Sequence, residues 1–447
     1  MHKLLLLLLA LNFSLSYSLS AQEKPREFSP YSRFGIGDLS DPNFNVISQF
    51  GGASAGYTDR NLLNPANPAS LGALRNTAFE VGVSTKFTRL VNDDAKSRFF
   101  GGGLDYLGIG LPLYNAINEA LDRKERKLHI GTMFALKPYS QVGYDIEQLD
   151  SIEGTGKYIR KYSGNGGTYE FKWSTGFEYN SLSAGVGFSY LFGKMSYNRA
   201  INLLDAPLPY NTVFQNDISL NSVRWNYGFQ YKINLKKLTD EQTESTNYLS
   251  IGLHGAPSQR FNTSSDELYK RELINGTTGA TDTVRNLTGL SGSGRLPGEI
   301  SIGAYYNSNY KFQASVQYSL VNWEDYFNTA KNTPTPEVLK NTGNFSIGFA
   351  YTPNIQSFDN LLARVTYRFG FKMGNDPRFI GNEQLKNLTV TFGGSVPFVF
   401  QRKVSFVNLA VEMGNVGIAD KLKSRFIQMK LGFTLNDDEW FLKRKYN

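Results

Sequence analysis

Apolar and polar residues alternate along most of the chain beyond residue 76. Between residues 223 and 233 every odd-numbered position is apolar, and the positions between them are Arg, Asn, Gly, Gln and Lys. Residues 363–372 and 427–435 follow the same pattern. Because successive side chains of a β-strand point to opposite faces, this period of two predicts strands with one apolar and one polar face.

We predict fourteen such strands, which span residues 77–89, 99–111, 127–147, 168–179, 182–193, 221–234, 247–256, 299–307, 310–320, 343–352, 361–373, 386–395, 404–413 and 425–435. Most have roughly the ten-residue length of strands that cross an outer membrane, whereas strands of globular proteins average about 5–6 residues. A soluble β-sandwich is the alternative. The predicted fold class is therefore all-β, a transmembrane antiparallel β-barrel of about 14 strands with its apolar face in lipid.

The connections between the predicted strands alternate in length. An even strand number places both ends of the barrel in the periplasm. Short connections at 180–181, 308–309, 353–360 and 396–403 are then periplasmic, and long ones at 194–220, 257–298 and 321–342 face the cell surface. The periplasmic connection at 112–126 has apolar residues at helical spacing, which predicts a short helix.

The first residues have the features of a signal peptide. Residues 1–21 begin with a basic residue, continue with a leucine run and end in small residues, so we predict export and cleavage after Ala21 or Ser20. A buried N-terminal helix is the alternative. No later stretch approaches the roughly 20 apolar residues that a spanning helix needs.

Residues 22–76 do not alternate and contain Gly-rich and Asn-Pro-Ala sequences instead. We expect them to form a hatch, or plug, inside the barrel, because a lumen of fourteen strands is wider than its own side chains can fill. Inward-facing glycines such as Gly228 and Gly370 would leave room for it, although relief of curvature strain also accounts for them. A disordered periplasmic leader is the alternative. The predicted domains are the signal peptide (1–21), hatch (22–76), barrel (77–435) and periplasmic tail (436–447).

Composition excludes several function classes. The formal net charge is +8, but the Lys and Arg residues are spread along the chain without a recognition motif, so no nucleic-acid partner is expected. There is no cysteine and there are only three histidines, which excludes disulfides and thiolate sites and disfavours His-rich metal centres. We predict no metal, no cofactor and no enzymatic activity, because His129 and His254 lack a serine-containing catalytic signature beside them.

The signal peptide, the N-terminal Asn-Pro-Ala element and the fourteen strands together resemble the FadL-like family of outer-membrane long-chain fatty-acid transporters. The family's hatch signature corresponds to Asn67, Pro68 and Ala69, and the small-residue stretch beginning at Gly51 and Gly52 resembles the rest of its hatch and gate. The resemblance implies a Gram-negative outer membrane, contact with its lipid, and passive passage of a fatty-acid-like hydrophobic ligand through a hatch-gated lumen. It also implies lateral release through a gap in the wall.

A proline and three glycines are the candidates for this gap. Pro138 lies inside the third predicted strand, and Gly101, Gly102 and Gly103 lie in the second. Proline cannot donate a ladder hydrogen bond, so a proline within a sheet requires an edge, a bulge or a break. The alternative is that Pro138 ends its strand above the membrane.

Cations at inward positions are candidate contacts for a ligand head group. Arg224, Arg364, Arg368 and Lys372 alternate with apolar residues, and an arginine can hold a carboxylate through two parallel hydrogen bonds. The alternative is that these cations face water or pair with the hatch acids Asp38, Asp41 and Asp59.

Two functions remain open from the sequence. The first is a passive outer-membrane channel for a hydrophobic small molecule. The second, which the resemblance also implies, is a non-transporting accessory or adaptor barrel of a protein-export complex such as the type IX secretion system, with a larger outer-membrane translocon protein as its partner.

Overall fold

A computed structural model describes residues 27–92, 96–114, 117, 127–153, 156–205, 210–235, 246–275, 278–331, 338–380, 383–400, 403–418 and 422–439. The predicted signal peptide, most of the predicted helix at 112–126 and the tail from residue 440 lie outside these ranges. Among the described residues, none of the helices has the length and apolar character to cross a bilayer.

Strands make up most of the described chain. Their bounds are β1 Asp38–Leu39, β2 Thr77–Asn92, β3 Lys96–Pro112, β4 Leu128–Gln141, β5 Tyr144–Ile152, β6 Gly156–Tyr179, β7 Leu182–Leu203, β8 Tyr210–Asn234, β9 Asn247–Ala256, β10 Gln259–Asn275, β11 Thr278–Leu296, β12 Glu299–Ser308, β13 Phe312–Val321, β14 Phe327–Asn328, β15 Thr342–Tyr351, β16 Thr366–Ile380, β17 Glu383–Phe400, β18 Lys403–Gly417 and β19 Leu422–Asp437. The single-turn helices α1 (Asn45–Ser48) and α2 (Leu361–Arg364) and short 3₁₀ turns at Pro30–Arg33, Pro68–Ala73 and Trp323–Asp325 accompany them.

Fourteen of the described strands form a closed antiparallel barrel. They are β2–β4, β6–β9, β12, β13 and β15–β19. The barrel closes where β19 pairs with β2, from Leu422 opposite Asn92 to Asp437 opposite Thr77. The predicted fold class is confirmed, and the fourteen barrel strands are those expected from the alternation.

The two faces of the wall differ as the alternation predicts. Trp173 and Phe229 are about half exposed on the outside, while the adjacent Ser174 and Gln230 are buried on the inside. In a soluble protein this distribution would be reversed, so the apolar exterior is the face that contacts lipid. Transmembrane strands with a lipid-facing exterior follow from it.

The two rims of the barrel have different architectures. We call the rim that carries Thr77 and Asp437 the terminal rim, and the opposite one the loop rim. At the terminal rim β6 and β7 are joined by a two-residue turn in which Asn180 has a φ of +54°. At the loop rim several strands extend far beyond the barrel. β6, for example, has 24 residues, about twice what a membrane crossing needs.

Two predicted surface connections are largely strand. Residues 194–203 and 210–220 continue β7 and β8, and 259–296 hold the β10–β11 hairpin, which pairs with β8. Outside the membrane neither face of a sheet must be apolar, so the ladder continues where the alternation stops.

The predicted strand at 361–373 starts too early. Leu361–Arg364 form α2, and β16 begins at Thr366. The Asn360 side chain caps this turn, because its Oδ1 accepts a hydrogen bond from the Ala363 N–H at 3.3 Å. Arg364 therefore lies in a turn at the terminal rim, and its prediction as a strand residue is wrong.

Candidate functional site

The described N-terminal residues lie against the inner face of the barrel wall. We call Glu27–Asn76 the N-terminal segment. Its backbone approaches the wall most closely at glycines: a Cβ on Gly228 would lie 1.9 Å from Asn67 Oδ1, and one on Gly370 would lie 2.1 Å from Gly51 N. A side chain at either wall position would displace the segment, so these glycines are required by close approach.

The Asn-Pro-Ala residues fold the segment on itself. Asn67 is fully buried; its Oδ1 accepts the Ala69 N–H at 3.0 Å, and its Nδ2 donates to Ala55 O at 2.7 Å. Pro68 starts the 3₁₀ turn that follows. The first copy of the motif is equally engaged, because Asn64 Nδ2 donates to the carbonyls of residues 54 and 57. Both copies therefore hold the turns of the segment.

Gly51 and Gly52 reverse the chain after α1. Their φ angles are +66° and +81°, and the Gly52 N–H donates to Ile47 O at 3.1 Å. A Cβ on Gly51 would also meet Phe371 O at 2.8 Å. Positive φ and contact with the wall together restrict this reversal to glycine.

Buried polar side chains of the wall clamp the segment. Gln317 Oε1 accepts the N–H groups of Ser54 at 2.8 Å and Ala55 at 2.7 Å. Ser54 Oγ also lies 3.1 Å from His254 Nε2. Sequence reasoning missed Gln317, and its inward position in an alternating strand is the signal that could have found it.

The interior cations contact groups of the protein itself. Arg368 is buried and donates to Gln49 Oε1 at 3.2 Å, and its guanidinium lies 5.6 Å from the Phe50 ring centroid. Arg224 lies 2.6 Å from Glu299 Oε1, which belongs to the wall. Two of the four predicted head-group contacts are thus occupied within the protein.

The acids of the segment pair with cations of the wall at two places. Lys430 Nζ lies 3.0 Å from Asp41 Oδ2 and 2.8 Å from Glu412 Oε1. Arg378 pairs with Asp38. Burial acts to raise the pKa of Asp41, but the charge of Lys430 and then that of Lys372 outweigh it, so the pKa lies well below its usual range. Burial raises the pKa of Asp59, the third predicted acid.

A cavity of about 460 Å³ lies between the segment and the wall. Among the described residues, seven cationic and eight acidic side chains line it, including Lys372. Most of these charges are paired: besides the pairs named above, Lys86 lies 2.8 Å from Glu27 and Lys137 lies 3.5 Å from Glu170. The lining is therefore nearly charge-balanced and combines ions with apolar surface, whereas pockets that bind hydrophobic ligands are mainly apolar.

An apolar cluster lies at the loop rim. Ile36 of the N-terminal segment packs there with Trp323 and Leu339 of the chain between β13 and β15 and with Leu191 and Phe261 of the extended strands. All five side chains are buried. Ile36, Trp323 and Leu339 also line the cavity, so this cluster forms part of its wall.

The wall ladder is incomplete between two neighbouring strands. β3 pairs with β4 only from Leu107 opposite Leu136 to Pro112 opposite Gly131. With β2, its neighbour on the other side, β3 pairs along nearly its whole length, from Lys96 opposite Val91 to Gly110 opposite Ala78. Beyond the point where β4 stops pairing with β3, β4 pairs with β1 instead, at Ser140 and Gln141. A strand of the N-terminal segment thus occupies part of the free edge of β4.

The predicted gap residues flank this break. Pro138 lies within β4, two residues beyond the last pair with β3, and the register of β4 with β6 shifts between Pro138 and Ser140. Gly101, Gly102 and Gly103 lie in the part of β3 that pairs with β2 alone in the described chain. The structure brings the four residues to one seam of the wall, and an opening there stays a prediction.

A comparison with protein-family models identifies the family. The BamG model matches residues 1–447, the whole chain. The chain belongs to the BamG family. A comparison with curated proteins finds no match.

Among solved structures, this BamG-family chain is similar to the toluene transporter TbuX of Ralstonia pickettii, with a TM-score of 0.55 and 12% identity over 89% of this chain and 99% of that one. It is also similar to a mutant of the monoaromatic hydrocarbon channel TodX, with a TM-score of 0.50 and 15% identity over 88% of this chain and 99% of that one. These likenesses establish the fold, and the predicted resemblance to FadL-like barrels is confirmed.

No group of three or more His, Asp or Glu side chains in the described part of this BamG-family chain could hold a metal ion. What the interior offers chemically is a set of paired charges and amides that hold one segment in place.

Proposed function

We propose that this chain is an outer-membrane barrel with a closed lumen, which serves as an accessory subunit of a membrane protein assembly. The observation that carries the proposal is the cavity beside the N-terminal segment: seven cationic and eight acidic side chains line it, so a hydrophobic molecule there would meet paired ions. The segment acts as the plug, and the signal peptide exports the chain to a Gram-negative outer membrane with the terminal rim in the periplasm.

The extended strands at the loop rim support a binding role. β6, β7 and β8 have 24, 22 and 25 residues, and the β10–β11 hairpin continues their sheet. A transmembrane strand needs about 9–11 residues. The remaining ladder forms a sheet outside the membrane, which is a surface suited to contacts with another protein.

The second candidate is passage of a hydrophobic compound with lateral exit. The structures of TbuX and TodX are described as those of a toluene transporter and a monoaromatic hydrocarbon channel. The incomplete β3–β4 ladder favours it, because unpaired backbone at membrane depth offers a way through the wall. Passage would require β1 to leave the edge of β4, and the part of the segment that contains Asn67, Pro68, Ala69, Gly51 and Gly52 to move away from the wall.

A reversible lock of the segment distinguishes the two functions. An ideal Cβ on Gly432 lies 3.2 Å from Asn45 Cβ, close to the spacing of about 3.5–4.5 Å in disulfides. Because the chain has no cysteine, the double variant Asn45→Cys/Gly432→Cys can form one designed cross-link between segment and wall. Each single variant is a matched control.

The accessory function predicts that the oxidised double variant, purified in mild detergent, still co-elutes with a larger outer-membrane protein, and that toluene uptake by cells is the same before and after reduction. If oxidation stops toluene uptake and reduction restores it, while the barrel elutes alone, transport is the function and the accessory proposal is wrong.

A further inference from the structure

The connection between β15 and β16 exposes an unusual number of apolar side chains. We call Thr352–Val365 the rim loop. In this loop the side chains of Ile355, Leu361 and Leu362 are between 46% and 67% exposed, and the side chain of Phe358 is 94% exposed. Single exposed apolar residues are ordinary, but four within one loop mark a surface that contacts something other than water.

The rim loop is held by its own hydrogen bonds. The Asn354 N–H donates to Ala363 O at 2.8 Å, the Asn360 N–H to Ser357 Oγ at 3.2 Å, and the Ala363 N–H to Asn360 Oδ1 at 3.3 Å. These bonds turn the polar side chains toward the backbone. The apolar side chains are therefore presented outward by a formed structure.

One hydrogen bond ties the rim loop to the lipid-facing side of the wall. Tyr367 lies on the outward face of β16, is 44% exposed, and donates from Oη to Leu362 O at 3.1 Å. Tyrosines at the ends of membrane-spanning strands lie at the bilayer interface. The loop thus continues the lipid-facing surface beyond the end of the strand.

The apolar band of the wall is short in this sector. On β15 exposed apolar side chains run from Phe345 to Tyr351, and on β16 from Tyr367 to Met373. Six residue steps span about 20 Å along a strand, and less along the membrane normal once strand tilt is included, whereas the apolar band of such barrels is about 25 Å tall. On β6 exposed apolar side chains run from Tyr169 to Tyr179, ten steps. The rim loop lies where the band is missing.

We propose that the rim loop inserts Phe358, Leu361 and Leu362 into the membrane leaflet at the terminal rim, so that its partner is the phospholipid bilayer. Arg364 lies two residues after Leu362 in the chain. A guanidinium beside a lipid interface suits a phosphate head group. This anchor is separate from both candidate functions, because neither requires the rim loop to contact lipid.

Spin labels on single cysteines test the insertion in the full-length protein. The chain has no native cysteine, so Phe358→Cys and Leu362→Cys can each be labelled alone after reconstitution into phospholipid liposomes. Asp359→Cys, on the same loop, is the control for water, and Phe369→Cys, on the outward face of β16, is the control for lipid. Collisions of each label with oxygen, which concentrates in lipid, are compared with those of a water-soluble nickel chelate.

Insertion predicts an oxygen-to-nickel collision ratio at positions 358 and 362 that is several-fold above that at 359 and approaches that at 369. A ratio equal to that at 359 would overturn the proposal and indicate that a protein, rather than lipid, covers the apolar side chains of the rim loop. Folding of each variant is checked by heat-modifiable migration on gels. A Phe358→Trp variant gives a second reading, because brominated phospholipids should quench its fluorescence if it is inserted.

Discussion

Replacing Lys430 with methionine should loosen the N-terminal segment from the wall. Lys430 is 5% exposed and lies within 3.0 Å of Asp41 in the segment and 2.8 Å of Glu412 in the wall. Methionine keeps most of the side-chain volume but leaves the buried Glu412 and the partly exposed Asp41 without their shared cation. Removing one partner of a buried ion pair costs about 3–5 kcal/mol.

This loss should act mainly on the opening of the segment, because Asp41 is the partner that can leave the wall. A loss of about 1.4 kcal/mol raises the equilibrium constant for opening tenfold. We therefore expect the backbone amides of α1 and of the residues after it to exchange with solvent roughly two to three orders of magnitude faster. The assay is hydrogen–deuterium exchange followed by mass spectrometry of peptides that cover residues 38–52.

Two variants control the interpretation. Lys311→Met removes an exposed lysine at the terminal rim and should leave the exchange unchanged. The double variant Lys430→Met/Asp41→Asn should recover part of the loss, because one of the two uncompensated carboxylates is removed. Unaltered exchange in Lys430→Met would mean that the ion cluster does not hold the segment, and the reasoning would be refuted.

Three further predictions concern the same segment. Gln317→Leu leaves two buried N–H groups without an acceptor, at about 1–3 kcal/mol each, and should lower the thermal unfolding temperature well below that of Gln313→Leu on the same strand. Gly228→Ala should expose the segment to protease because its Cβ would clash with the segment, whereas Gly394→Ala, where the nearest atom would lie 3.4 Å away, should not. The pKa of Asp41 is lowered in the folded barrel, so its contribution is present above its ordinary pKa of about 4 and is lost as the pH falls below it. Amide exchange in residues 38–52, corrected for intrinsic rate, should therefore increase on acidification through pH 4, and an exchange profile that is flat with pH would contradict this.

The barrel could be predicted because each strand has apolar residues on the side that faces lipid and polar residues on the side that faces the interior. Every second residue of β8 between 223 and 233 faces lipid, and the residues between them face the interior, so eleven consecutive residues report the strand and its faces. Arg364 shows the limit of this signal. Its neighbours continue the alternation by coincidence, while the hydrogen bond from Asn360 turns the chain into α2.

The contents of the lumen could not be predicted in the same way. Sequence alternation identified inward cations correctly at Arg224 and Arg368 but could not assign their partners, which are a wall carboxylate for one and Gln49 of the segment for the other. Lys430 and Asp41 are separated by 389 positions in the chain. No local pattern records a contact between residues so far apart.

The alternation of the sequence by itself determined the strand number, the antiparallel closure and the lipid-facing side, because lipid and the polar interior act on every residue of each strand separately. The tertiary structure alone decided that charges line the remaining cavity, that the ladder stops between β3 and β4, and that β1 occupies the edge of β4. These features depend on which distant groups meet after the barrel has closed. Such pairing is a property of the assembled interior and leaves no periodicity in the chain.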